Sequence, residues 1–249
     1  PTYEERVLKV KEYFAEARAY RDAVAAGEEV RTDARYIAMT PALNRDIPVV
    51  VSANSAAQIN DAITWAKEED LRLVIRGGDD AIHVAARLVA EEIPVILTST
   101  MNAPNRDHEG YDVAYGRAAA LYNAGVKFAI SGGSGSLYTE RLPYEAGVAV
   151  AFGLPEEEAV KAVTIYAAEL MGLDDRIGSL ETGKQATLLI TTRSSAALVK
   201  VTTDNGVSPC MLSGNQPHGV VGPPTMNQAF VVVTIAREPT AFAETSAPR

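Results

Sequence analysis

AFGLPEEEAVKAVTIYAAELMGLDDRIGSLETGKQATLLI, residues 151–190, decides how this chain is read. Pro155 has the fixed φ that suits a first helical position, and Glu156, Glu157 and Glu158 favour the positive end of a helix dipole. Val160, Val163, Ala167 and Leu170 recur at helical spacing and predict one apolar stripe on one long helix. Gly172 stands where a left-handed C-terminal cap is wanted. Arg176-Ile177-Gly178-Ser179-Leu180-Glu181 and Gly183-Lys184 then form a glycine-punctuated turn before an apolar strand, Ala186 to Ile190.

Working back from that stretch, short apolar runs alternate with helical ones. Pro48 to Ser52 predicts a first buried strand. Ser55 and Gln58 follow in capping-box spacing, with Ile59, Ala62, Ile63 and Ala66 facing inward. Leu71 to Arg76 is a second strand. A helix from about Ala81 to Glu91 follows it, with Val84, Ala85, Leu88 and Val89 on one face. Ile93 to Leu97 is a third strand and leads into a long loop, Thr100 to Tyr111. A helix over Tyr115–Asn123 precedes the fourth strand, Val126 to Ile130. Continuous β-branched runs mean strands covered on both faces, and repeated β-α units imply right-handed crossovers and a parallel sheet. The fold class is α/β. Four units make either half of an eight-stranded barrel or a small open sheet.

The helix–turn–strand pattern of residues 151–190 resembles the C-terminal portion of the amidohydrolase superfamily, metal-dependent hydrolases that include imidazolonepropionase-like enzymes. The turn matches a "GSLEPGKDADLVV"-type return into a small β domain, with Thr182 for the usual Pro and Thr187 for the usual Asp. The family's frequent Asn-Pro-Ala reads Tyr166-Ala167-Ala168 here. The resemblance runs from about Thr2 to Ile190. It implies strands five to eight of a TIM-like (β/α)8 barrel plus one return strand of the small β domain. On this basis residues 1–47 are a helical lead-in and 48–172 hold four β-α units with the last helix. Residues 173–191 return into the β domain, and 192–249 form a divergent or frame-shifted tail of low charge.

The resemblance also implies hydrolysis of non-peptide carbon–nitrogen bonds, often in cyclic amides. A divalent metal, zinc in the family, would lower the pKa of a bound water to about 7. Such proteins use a His-x-His on strand one, Lys or Glu on strand four, His on strands five and six, and Asp on strand eight. Carried onto this chain, the strand-five position falls at Ser52 and the strand-six position at Arg76 or Gly77. The strand-eight position falls at Gly132 or Gly133. Serine is a poor ligand, glycine offers only backbone, and arginine repels a cation. The metal site is therefore expected to be degenerate and this chain alone inactive, with no cofactor of its own. A polar small molecule would instead be lined by Ser52, Asn54, Arg76, Asp79, Ser131 and Ser134. The alternative is a non-catalytic incomplete barrel, an assembly module whose open strand edges meet a missing barrel half or a second copy.

Bulk properties bound these readings. The chain has 249 residues, a net charge of −9, one cysteine and three histidines. That acidity argues against nucleic acid, which needs a basic surface. No run reaches the roughly 18 apolar residues of a membrane span, and the N-terminus is no secretory signal. A cytoplasmic location is the default expectation. One cysteine excludes an internal disulfide or a cysteine-based zinc cluster.

Other candidates each carry a plainer reading. His83, His108 and His218 share no short spacing and read as exposed or structural. Asp79-Asp80 suit an acid–base pair, or more simply a cap on the helix that follows them. Arg76 at a strand end suits a bidentate clamp on a substrate carboxylate, or an ion pair with Asp79 or Asp80. Ser131 to Ser136 is a glycine-rich loop after a strand, either an anion cradle or a flexible turn, with no clean helix behind it.

Overall fold

A computed structural model describes residues 3–107, 109–132, 141–185, 188–189 and 201–202. Two compact units are present. One holds residues 1–98, 120–129 and 170–172, and the other holds 99–119, 130–169 and 173–249.

The first unit opens with α1 (Tyr3–Ala25) and α2 (Ala34–Leu43), which pack on each other. Tyr36 lies between Tyr13 and Tyr20, with ring centroids 5.6 and 5.5 Å away. Asp33 caps α2 by accepting the Arg35 N–H at 2.9 Å. The parallel strands β1 (Val49–Ala53), β2 (Leu73–Gly77) and β3 (Val95–Leu97) follow, and β4 (Phe128–Ile130) lies next to β3. The order β1-β2-β3-β4 is the chain order. All four expected strands are present, displaced by one or two residues at their ends, but β1 is not the buried strand expected, since Val50 and Ser52 are exposed.

Helix α3 (Ala56–Glu68) bears out its sequence pattern in detail. Ser55 accepts the Gln58 N–H, and the Gln58 side chain accepts from the Ser55 N–H, closing a capping box. Ile59, Ala62, Ile63 and Ala66 are all buried, and the helix packs on β1 and β2. Below it, Phe14 of α1 meets Trp65 edge-on at 5.1 Å.

Two helix expectations need correction. Residues 81–91 do not form one helix: Ala81–Val84 is a 3₁₀ turn, and α4 covers only Ala85–Ala90. Ala85 and Leu88 are buried, whereas Val89 is 43 % exposed and does not join their face. The long helix after Pro155 is also broken, into α7 (Glu156–Ala162) and α8 (Ile165–Met171). Thr164 sits in the break and turns its hydroxyl back to the Val160 carbonyl at 2.7 Å, the back-bonding that bends helices. The break rotates the stripe. Ala159, Ala162, Ala168 and Leu170 are buried, while Val160, Val163 and Ala167 are half-buried. Pro155 is the cap residue, and Gly172 takes φ +68° as its position demands.

The second unit includes most of α5 (Val113–Asn123), then α6 (Leu142–Ala151), α7 and α8 through Glu169. No helix was expected over 142–151. Its Pro143 suits a first turn, and its small residues Ala146 and Ala149 are buried. The turn after α8 is closed by its own polar groups: Gln185 N–H donates to Arg176 O at 2.8 Å and Lys184 Nζ to Ser179 Oγ at 2.6 Å. Gly178, at φ +100°, lies against Ala168 and Ile165 where a Cβ would collide. Leu188–Leu189 (β5) pairs antiparallel with Val201–Thr202 (β6).

Candidate functional site at the strand tips

In parallel α/β proteins the groups that act on ligands project from the C-terminal strand ends. In the first unit those ends belong to β1, β2 and β3. Ser52 is the register partner of Arg76, and Arg76 is the register partner of Ile96. Parallel partners project to the same face, so Ser52, Arg76 and Ile96 share one side of the sheet. Ser52 is exposed and Arg76 is partly buried.

Beyond the strands the chain makes two tight turns. Gly78 N–H donates to Ala53 O at 2.9 Å and Asp80 N–H to Asn54 O at 2.8 Å, binding the two tips together. Gly77 and Gly78 both have positive φ, +107° and +71°. A Cβ on Gly77 would lie 2.0 Å from Asn54 Oδ1, so the Asn54 side chain occupies the space any residue-77 side chain would need.

Asp80 is 8 % exposed and accepts the Ala56 N–H at 3.2 Å. It therefore serves the start of α3, the preceding helix. As the N-cap residue of the 3₁₀ turn that follows, Asp80 makes no side-chain capping bond to it. Asp79 has a polar partner as well. The expected ion pair between Arg76 and either aspartate does not form: among the described residues no hydrogen bond or ion pair reaches the Arg76 side chain. The Ser52 hydroxyl and the Asn54 side-chain carboxamide are in the same condition, whereas the Asn54 backbone N–H donates to Gln58 Oε1 at 3.0 Å. Thus Ser52, Asn54, Arg76 and Asp79 lie on two adjacent tips.

Ser131 and Gly132 follow β4 directly and are partly exposed. Ser134 and Gly133 lie outside the described residues, as do His108 and His218. His83 is exposed in the 3₁₀ turn.

Sequence reasoning missed one buried carboxylate in the second unit. Glu145 of α6 is 2 % exposed. It accepts from Ser99 Oγ at 3.0 Å, from Thr100 N–H at 2.5 Å and from Thr100 Oγ1 at 2.8 Å. Thr100, fully buried, also donates to the Glu145 carbonyl at 2.8 Å. A glutamate inside an otherwise small, apolar helix face was the available signal.

A profile of the amidohydrolase family matches residues 62–216. The chain is also similar to an imidazolonepropionase of Syntrophobacter fumaroxidans, 36 % identical over 98 residues that make up 38 % of this chain and 23 % of the relative. Among solved structures it resembles an amidohydrolase from Thermotoga maritima, with 30 % identity and a TM-score of 0.63 over 72 % of this chain and 48 % of that one. It shares its fold with an Xaa-Pro dipeptidase, with 19 % identity, a TM-score of 0.51, and 69 % and 47 % coverage. The chain belongs to the amidohydrolase family. It spans about half the length of these solved structures and about a quarter of the imidazolonepropionase. The matched range extends past the point near Thr192 where charged residues become sparse.

The divalent metal implied by the family does not fit the tips described here. Ser52 offers a weakly donating hydroxyl, Gly77 no side chain, and Arg76 a positive charge. Among the described residues no three His, Cys, Asp or Glu side chains gather where they could hold an ion. No described helix is long and apolar enough to cross a membrane.

Proposed function

We propose that this chain supplies strands five to eight of an amidohydrolase barrel, and that its strand tips bind a polar small molecule without contributing metal ligands. The family reaction, hydrolysis of non-peptide carbon–nitrogen bonds in small and often cyclic amides by metal-activated water, is impaired in this chain. One observation carries the reading. At Gly77, where the resemblance calls for a ligand, there is no side chain, and Asn54 Oδ1 fills the space one would take. The Ser52 and Asn54 side chains and Arg76 form the polar lining that remains.

The test is zinc content and turnover measured together on the purified full chain. The expected result is trace zinc and no hydrolysis of a cyclic amide such as hydantoin above background. Stoichiometric zinc, with hydrolysis that a chelator abolishes, would overturn the proposal.

A second reading, an assembly module, is favoured by β1. Among the described residues this strand pairs only with β2, and Val50 is 40 % exposed on a strand that carries no charge. Association through this edge would give a concentration-dependent oligomer in size-exclusion chromatography, lost on Val50→Lys. A monomer at all concentrations would dismiss it.

A further inference from the structure

Three side chains at the tips of β1 and β2 have unused hydrogen-bonding capacity, and their chemistry is one-sided. Arg76 presents five N–H donors and a full positive charge, and Ser52 and Asn54 add a hydroxyl and an amide. Arg76 is partly buried at the end of an interior strand whose other residues are all buried. A guanidinium in that position has lost part of its hydration, so an anion beside it gains more than it would on an open surface.

The neighbouring carboxylates do not supply that anion. Asp80 is committed to the Ala56 N–H and Asp79 is engaged elsewhere. The backbone reinforces this arrangement. Positive φ at Gly77 and Gly78 turns the chain sharply after Arg76, and the Asp80 N–H bond to Asn54 O holds both aspartates in that turn. The Arg76 side chain is left without a partner among the described residues, on the same sheet face as its register partner Ser52.

We propose that the ligand of this tip carries a carboxylate, gripped by the Arg76 guanidinium with Ser52 and Asn54 as flanking donors. The planar fork of Arg76 matches two carboxylate oxygens in a bidentate pair, and a hydroxyl on the adjacent strand reaches a remaining lone pair. This inference rests on reading the tip as a small-molecule site and names the chemical class of that molecule. A net charge of −9 makes such a cation the exception on this surface and selects small anions over polyanions, which the rest of the chain repels.

Benzoate is the probe, titrated at constant ionic strength into full-length protein labelled with nitrogen-15, after its metal content has been measured. The expected result is saturable displacement of the Arg76 side-chain signal. Affinity should fall at least about tenfold in Arg76→Gln and measurably in Arg76→Lys, which keeps the charge but loses the fork. Lys9→Gln, on exposed α1 surface, should bind as the native chain does. On the unmutated protein, benzoate should also protect Arg76 from phenylglyoxal, so the result does not depend on the variants folding. No benzoate response in metal-free protein, equal binding by Arg76→Gln, or preference for inorganic phosphate would overturn the assignment. Because metal content is measured beforehand, a failed carboxylate site is distinguishable from a failed metal-free reading.

Discussion

Two clusters of polar side chains in this molecule follow opposite rules. Glu145 in the second unit is 2 % exposed, and both its oxygens accept hydrogen bonds from Ser99 and Thr100. Arg76 in the first unit is partly buried and receives no partner from the described residues. Burying a carboxylate is tolerable when its oxygens are satisfied internally, and such a group then serves the scaffold. In our proposal a polar group left unsatisfied at a strand tip takes its partner from outside. The contrast separates structural from ligand-facing polarity without recourse to sequence comparison.

The largest expected effect tests the structural side. Glu145→Ala removes the one acceptor that the buried Thr100 N–H has among the described residues and the carboxylate acceptor of Ser99 Oγ, while Thr100 Oγ1 keeps the residue-145 carbonyl. Orphaned buried donors cost about 1–3 kcal/mol each, with partial relaxation, so a loss of about 3 kcal/mol is expected in urea denaturation. A loss below about 1 kcal/mol would mean that the cluster does not serve the scaffold.

Next in size is the Gly77 position. Gly77→Ala meets Asn54 Oδ1 at 2.0 Å and must adopt φ +107°, so about 2 kcal/mol of destabilisation is expected. Combining it with Asn54→Gly should recover only the steric part. Full recovery would show that the backbone there is not strained.

The Tyr166–Glu158 pair should show its effect through pH. The Tyr166 hydroxyl donates to Glu158 at 2.5 Å, and burial together with that bond pushes the phenol up to about 12. The same bond, with Lys161, lowers the Glu158 carboxyl from its ordinary value. A raised folded-state pKa stabilises below the unfolded value of 10.0, and that stability is lost as pH rises from there toward about 12. The depressed carboxylate stabilises above its ordinary 4.5 and loses that contribution as pH falls below it. Tyr166→Phe should flatten the alkaline limb and cost about 1 kcal/mol near neutrality. An unchanged alkaline limb would dismiss the pair.

The smallest effect completes the contrast. Arg76→Ala removes a charge that holds nothing in place, so stability should stay within about 0.5 kcal/mol of the native value. A loss matching that of Glu145→Ala would place Arg76 in the scaffold too.

Much of this was legible from the chain alone, and what was not has physical reasons. The strands and α3 declared themselves because apolar period and capping chemistry agree at Ser55, Gln58, Ile59 and Ile63. The break at Thr164 was hidden: threonine is compatible with a helix interior, and only its bond to Val160 O reveals the bend. Val89 followed the helical period but lies on a helix too short to keep it inside. At the tips, Ser52 and Arg76 could be placed at strand ends, and their shared face follows from register. The direction of Asp80, back to Ala56, depends on the Gly77-Gly78 turn and could not be read locally. Glu145 escaped notice because its partners Ser99 and Thr100 lie more than forty residues earlier.

A zinc titration followed by amide spectra tests the central claim most directly. Equimolar zinc added to the full chain should leave the signals of Ser52, Arg76 and Gly77 where they were. A tight, stoichiometric shift centred on those three residues, reversed by a chelator, would contradict the proposal that these tips have no grip on a metal.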